Sequence, residues 1–147
     1  MKILVINGPN LNMLGKRNSK HYGFLTIFQI NDKLKTQAKS RGINLVFFQS
    51  NHEGELIDFI QHNCQKASGV LINPGALTHY SYALADALKD ANIPVIDVHL
   101  SDISNREDFR KINVLEEISV ETVAGKKEKS YEEGLLKLVT HIKSSGH

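Results

Sequence analysis

Five short apolar runs, each long enough for one buried strand, alternate along the chain with stretches of helical periodicity. The runs predict strands at residues 3–6, 43–48, 70–72, 95–98 and 118–123. Strands that are apolar at consecutive positions, rather than at every second one, are typical of a parallel sheet that is covered on both faces. The alternation therefore predicts a series of βα units.

The stretches between the predicted strands place apolar side chains three and four positions apart, as amphipathic helices do. Thr26 has the side chain of a helix N-cap, and Gly42 is placed to end that helix before the second strand. Three helices are predicted to bury the following sets: Ile27, Ile30, Leu34 and Ala38; Leu56, Ile57, Ile60 and Cys64; Ala83, Leu84, Ala87, Leu88 and Ala91. A short helix over residues 105–112 and a last one over residues 131–143 complete the pattern.

Right-handed crossovers favour a flavodoxin-like, doubly wound α/β fold with a five-stranded parallel sheet and helices on both faces. The 147 residues fit one such domain, spanning residues 1–147.

The 18 Lys and Arg residues nearly balance the 16 Asp and Glu residues, so no nucleic-acid partner is predicted. The first apolar run is too short for a signal or membrane segment. The single cysteine cannot form an internal disulfide. We therefore expect a cytoplasmic protein.

In open sheets of this kind ligands bind beyond the carboxyl ends of the strands, so the loops at those ends carry the candidate chemistry. The loop after the first strand contains Asn10, Arg17 and Tyr22. Its Gly8 and Gly15 have six residues between them, whereas a phosphate-binding loop has four, so we reject a nucleotide-binding loop. On this segment alone, a structured surface loop is an equal alternative.

The loops after the third and fourth strands add polar side chains at the same edge. Asn73 and His79 follow the third strand, and Asp97 and His99 end the fourth. Alternation along the strand puts Asp97 and His99 on the same side, so the carboxylate is expected to orient the imidazole. Together with Arg110 and the arginine of the first loop, these groups predict a site for a small carboxylate. The two histidines lack a third ligand at a recognisable spacing, so no metal site is predicted.

Six segments form a more specific pattern, in a fixed order from Met1 to about Arg110. They are residues 7–17 (NGPNLNMLGKR), 22–23 (YG), 48–57 (FQSNHEGELI), 72–76 (INPGA), 97–101 (DVHLS) and 106–110 (REDFR). Together they resemble the type II 3-dehydroquinate dehydratases. The resemblance continues more weakly into the last predicted helix.

The resemblance implies an enzyme that converts 3-dehydroquinate to 3-dehydroshikimate and water, by anti elimination through an enolate, without metal, cofactor or Schiff base. Tyr22 would be the base that removes the proton beside the ketone, and Arg17 the cation that favours its phenolate. Asn10 would help to stabilise the enolate oxygen, and His99 would protonate the departing hydroxyl as general acid. Biosynthesis of aromatic compounds through shikimate and breakdown of quinate both use this chemistry.

The resemblance also implies how substrate is held and how the chain assembles. Asn73, His79, Arg110 and the backbone of Leu100 and Ser101 would hold the substrate's hydroxyls and carboxylate. Asp86 matches a position that reaches the site of a neighbouring subunit, in a homo-oligomer of trimers packed into a dodecamer.

Two features depart from the pattern of this family. Asp97 stands where the family commonly has glutamate, and its shorter arm predicts a weaker hold on His99. The segment 113–122 is more acidic than usual, and we expect it to be surface or subunit contact that does not touch the catalytic set. A non-catalytic flavodoxin-like module that binds a small carboxylate is the alternative function.

Overall fold

The computed structural model describes residues 1–146, and His147 lies outside the described residues. Its strands are β1 (Lys2–Asn7), β2 (Asn44–Gln49), β3 (Gly69–Asn73), β4 (Val95–His99) and β5 (Glu121–Ala124). All neighbouring strands pair in parallel, in the order β2-β1-β3-β4-β5. This is the flavodoxin-like order, so the predicted fold class is confirmed.

The helices divide between the two faces of the sheet. They are α1 (Ser19–Tyr22), α2 (Ile27–Lys39), α3 (Glu53–Asn63), α4 (Tyr82–Ala91) and α5 (Lys129–Ser144). Helices α2 and α5 pack on one face and α3 and α4 on the other. Every residue of β3 and β4 is buried as a result, which is why these strands read as continuous apolar runs.

The boundaries of α2 follow from local chemistry that the sequence already shows. The hydroxyl of Thr26 accepts a hydrogen bond from the backbone N–H of Gln29, whose side chain accepts one from the backbone of Thr26. This capping box satisfies two N–H groups that the first turn leaves unpaired. At the other end Gly42 adopts a φ of 66°, a conformation that favours glycine. The four predicted apolar residues of this helix are all buried.

Three local predictions were wrong. Ala83 is exposed and Ala85 is buried in its place, because an alanine carries too little apolar surface to decide which face it takes. In place of the helix predicted over residues 105–112 there are two separate 3₁₀ turns, Ile103–Asn105 and Asp108–Lys111. Phe109 and Ile112 are exposed and offer no apolar face that would stabilise one helix. Cys64 is only half-buried, in a turn beyond the end of α3.

A buried tyrosine ties α5 to the carboxyl ends of β1 and β3. The hydroxyl of Tyr131 donates to Oδ1 of Asn7 at 2.5 Å and accepts from Nδ2 of Asn73 at 2.9 Å. Oδ1 of Asn73 in turn accepts the backbone N–H of Gly75 at 3.1 Å. Burial raises the pKa of Tyr131, so the hydroxyl keeps the proton that it donates. The network fixes both asparagines where their strands end.

Removal of this hydroxyl should destabilise the fold. In Tyr131→Phe the buried Oδ1 of Asn7 and Nδ2 of Asn73 lose their shared partner, so the free energy of unfolding should fall by about 1–3 kcal/mol. Urea unfolding followed by circular dichroism measures this change. Tyr80→Phe is the matched control, because Tyr80 is 62% exposed and its hydroxyl can bond to water. Equal unfolding free energies for the two variants would contradict the role of Tyr131.

Candidate active site

One cleft opens at the carboxyl edge of the sheet, between the loops that follow β1, β3 and β4. It encloses about 590 Å³ of empty space, its open mouth included. Its walls contain nine of the eleven predicted site residues, namely Asn10, Arg17, Tyr22, Asn73, His79, His99, Leu100, Ser101 and Arg110. Asp97 lies buried behind His99, and Asp86 is exposed on α4, outside the cleft.

Close contact between two loops shapes one wall of the cleft. A side chain at Gly8 would place its Cβ 2.4 Å from the carbonyl oxygen of Pro74, and one at Gly75 would lie 2.8 Å from that of Pro9. Both glycines therefore allow the loops after β1 and β3 to touch. Beside this contact Asn10 is exposed in the left-handed conformation, and its backbone N–H donates to the side chain of Asn51.

Two arginines surround Tyr22, the last residue of the short helix α1. The guanidinium of Arg17 stacks on the ring face, with Cζ 3.9 Å from the ring centroid. A terminal nitrogen of Arg106 donates to the tyrosine hydroxyl at 3.3 Å, and a bond of the same length joins it to the hydroxyl of Ser101. Positive charge thus lies against both the ring and the oxygen of Tyr22.

Arg106 was absent from the predicted site. It belongs to the segment 106–110 that carries the family resemblance, but nothing local to that segment indicates which loop it approaches. Its side chain is only 12% exposed and lines the cleft together with Arg17 and Arg110. Three guanidinium groups therefore line the cleft, and no carboxylate of the described residues is among its lining groups. This charge distribution favours an anionic ligand.

A buried carboxylate orients the imidazole of His99, as the strand alternation predicted. Nε2 of His99 lies 3.0 Å from Oδ2 of Asp97, and both side chains are buried. A carboxylate can only accept, so Nε2 carries the proton, and Nδ1 is the remaining ring nitrogen for a ligand. The distance is that of a normal N–H···O hydrogen bond, so the expected weak hold by the shorter aspartate is not observed.

The segment 113–122 does touch the catalytic set, and our contrary prediction was wrong. Asn113 donates to Oδ2 of Asp97 at 2.8 Å, and the hydroxyl of Thr122 donates to Oδ1 at 2.7 Å. Burial alone would raise the pKa of Asp97, but the hydrogen bonds from His99, Thr122 and Asn113 outweigh burial and lower it. Asp97 is therefore ionised at neutral pH.

His79 faces the cleft as a neutral hydrogen-bond acceptor. Its Nδ1 lies 2.7 Å from the carbonyl oxygen of Ile112, which can only accept, so Nδ1 carries the proton. Burial lowers the pKa of His79, and the positive charge of Arg110 adds to this effect. The bond to Ile112 opposes the shift only in part. The neutral ring then leaves Nε2 as an acceptor, suited to a ligand hydroxyl.

Two further predicted ligands, Asn73 and Arg110, contact neighbours in the fold. Asn73 is 3% exposed, and the bonds to Tyr131 and Gly75 leave its Nδ2 one further hydrogen for a ligand. Arg110 has its Nε 3.0 Å from a carboxylate oxygen of Glu107, which does not line the cleft. Both side chains thus also contact groups outside the cleft.

Within residues 1–146, no three His, Cys, Asp or Glu side chains gather closely enough to ligate a metal ion. None of the helices in that range has the length and apolar character needed to span a membrane.

The neutral state of His79 can be tested by titration. In the native protein its pKa should lie below the ordinary value of 6.5, so at pH 6.5 less than half of the rings should be protonated. In Arg110→Gln the loss of a nearby positive charge should raise this pKa. Imidazole NMR signals measure both, with His79→Gln to assign the resonance and the exposed Arg41→Gln as charge control. An unchanged His79 titration in Arg110→Gln would contradict the proposed coupling.

Comparison with known proteins places the chain in a family. A family model described as "Dehydroquinase class II" matches residues 1–139. A 3-dehydroquinate dehydratase of Halothermothrix orenii is 44% identical over 146 residues, which cover 99% of both chains. One from Roseiflexus castenholzii is 51% identical over 125 residues, or 85% of this chain and 80% of that protein.

Solved structures agree with this assignment. The type II dehydroquinase of Butyrivibrio crossotus superposes with a TM-score of 0.91 at 44% identity, covering 94% of this chain and 97% of that one. That of Propionibacterium acnes gives a TM-score of 0.90 at 37% identity, covering 95% of this chain and 96% of that one. The chain belongs to the class II dehydroquinase family.

Proposed function

We propose that this chain is a 3-dehydroquinate dehydratase, a hydro-lyase that removes water from 3-dehydroquinate to give 3-dehydroshikimate. Family membership supports the reaction. One observation in the cleft supports the chemistry: Tyr22 has the guanidinium of Arg17 on its ring and that of Arg106 at its hydroxyl, in the same cleft as His99, which Asp97 holds from behind. A base and an acid in one cleft are what an elimination requires.

In the proposed first step Tyr22, as phenolate, removes the proton beside the ketone. Nearby positive charge stabilises a phenolate, and Arg17 and Arg106 supply it from two sides. Proton removal gives an enolate, whose developing negative charge needs donors that are already in position. Asn10, which lines the cleft from the loop after β1, is the proposed residue for this purpose.

In the second step His99 protonates the departing hydroxyl. The proton would leave from Nδ1, because Nε2 is engaged by Asp97. The ionised carboxylate stabilises the positive charge of the imidazolium before this transfer and holds the ring in one orientation. Proton removal and hydroxyl departure thus use different residues, Tyr22 as the base and His99 as the acid.

The other side chains of the cleft are proposed to bind the substrate. Arg110 and the backbone of Leu100 and Ser101 suit the substrate carboxylate, because a guanidinium and N–H groups both donate to anions. His79 offers an acceptor to a hydroxyl, and Asn73 offers its remaining N–H.

Assembly and location remain predictions: the assembly rests on the resemblance, and the location on the shortness of the first apolar run. Asp86 is exposed on α4, where a neighbouring subunit could receive it, and we infer trimers packed into a dodecamer. Sedimentation equilibrium tests this assembly, and a monomer at assay concentrations would contradict it. We also infer that the enzyme is cytoplasmic, which fractionation of cells expressing the tagged chain would test.

Substitution of the proposed base should abolish turnover without loss of folding. Purified native chain with 3-dehydroquinate should show rising ultraviolet absorbance from the conjugated enone product. In Tyr22→Phe the rate should fall by at least about 10²- to 10⁴-fold, the contribution typical of a positioned acid or base.

Tyr82→Phe is the matched control, because Tyr82 is exposed and does not line the cleft. Near-native turnover in Tyr22→Phe would refute the assignment of the base. A flat trace from folded native chain would instead favour the non-catalytic binding module.

A further inference from the structure

The carboxylate of Asp97 accepts hydrogen bonds on both oxygens although it is fully buried. Oδ2 accepts from Nε2 of His99 at 3.0 Å and from Nδ2 of Asn113 at 2.8 Å. Oδ1 accepts from the hydroxyl of Thr122 at 2.7 Å. His99 and Asn113 thus share one oxygen, so the amide of Asn113 fixes the position of the very atom that His99 contacts. A buried carboxylate without such donors would lose its charge or turn away.

Asn113 is itself held at its other end. Its Oδ1 accepts the hydroxyl of Thr78 at 2.8 Å and the backbone N–H of Leu115 at 3.0 Å. These two bonds identify which end of the amide is the oxygen, because Leu115 N can only donate. The NH₂ group must therefore point at Asp97, and the amide cannot flip without breaking all of these bonds.

The same segment also carries the contacts of the loop after β3. The backbone N–H of Val114 donates to the carbonyl of Thr78 at 2.8 Å. The carbonyl of Ile112, the residue before Asn113, accepts from Nδ1 of His79 at 2.7 Å. Residues 112–114 therefore connect the Asp97–His99 pair with the proposed substrate-binding loop.

We propose that Asn113 is a positioning residue for the elimination: its amide keeps the Asp97 carboxylate charged and directed at Nε2 of His99, so that Nδ1 is presented to the departing hydroxyl. This inference rests on the proposed function. It also accounts for the short aspartate arm, since a carboxylate held by two further donors does not need a longer side chain to keep its hold on His99. Asn113 acts through Asp97 and His99 and does not line the cleft.

Asn113→Asp separates this role from a merely structural one. The variant keeps the oxygen that accepts from Thr78 and Leu115, but places a second carboxylate oxygen about 3 Å from Asp97 in place of the donor. Repulsion between two carboxylates so close raises the pH at which the pair takes up one proton. Both are ionised and repel each other at the higher pH, whereas at lower pH the shared proton restores a hydrogen bond between them. Other titratable or charged groups lie near the Asp97 carboxylate. His99 acts on Asp97 directly, and His79 in turn interacts with His99, Arg106 and Arg110.

The expected result is a loss of kcat that depends on pH. At pH 8, Asn113→Asp should have a kcat about tenfold to a hundredfold below native, the usual range for a group that orients a reacting residue. Its KM should change less than threefold or so, because no binding group is altered. The ratio of native kcat to variant kcat should decrease toward one as the pH is lowered to 6. Asn113→Leu offers Asp97 neither a donor nor a carboxyl group with which to share a proton. Its loss of kcat relative to native should therefore be the same at pH 8 and at pH 6.

Asn63→Asp is the matched control, because Nδ2 of Asn63 donates only to a backbone carbonyl on α3, far from the cleft. It should keep native kcat at both pH values. A ratio for Asn113→Asp that equals one, or that stays constant with pH, overturns the positioning role. If Asn113→Leu does not fold, Asn113→Asp alone still decides. Absence of turnover in both the native chain and Asn63→Asp would mean failure of the proposed function instead.

Discussion

All five strands run in the same direction, and this constraint decides where the chemistry of the protein can lie. Parallel strands place their carboxyl ends at one edge, so loops that are far apart in sequence meet there. The buried polar residues show the effect, because Asn7, Asn73, Asp97 and His99 are each at or near the last position of a strand. Elsewhere the central strands are apolar, and the cost of burying polar groups is confined to this edge.

The second requirement is that each of these buried polar groups finds a partner. An unpaired buried polar group costs free energy, and a buried charge costs more. Tyr131 meets this need for the two asparagines, and Asn113 and Thr122 meet it for Asp97. The bonds that satisfy these groups also restrict their orientation. The stability of the edge and the alignment of the site therefore have the same cause.

Periodicity was enough to predict the fold and the polar edge of the sheet at which the cleft lies. The continuous apolar strands predicted the parallel sheet, and simple alternation along β4 predicted that Asp97 and His99 would be neighbours. Both signals are local. The family resemblance then supplied the roles of residues such as Tyr22, which no local pattern could assign.

The parts that were missed depend on contacts between distant positions. Arg106 reaches Tyr22 across 84 positions of sequence, and Thr122 reaches Asp97 across 25. Such contacts follow from the way loops pack after the sheet has formed. For the segment 113–122, the acidic composition suggested an exposed surface rather than a contact with Asp97. Ala83 failed for a different reason, since small apolar residues give a helix little preference between two faces.

The central claim is that Tyr22 removes the proton and His99 completes the elimination in a later step. The most direct measurement is deuterium uptake by 3-dehydroquinate in D₂O, followed by mass spectrometry of recovered substrate. In His99→Gln the amide can still donate to Asp97, but no side chain remains at this position to protonate the departing hydroxyl. This variant should form little product, and the recovered substrate should carry deuterium beside the ketone. Tyr22→Phe should give neither product nor deuterium beyond the level without protein. Undiminished exchange in Tyr22→Phe would contradict the account.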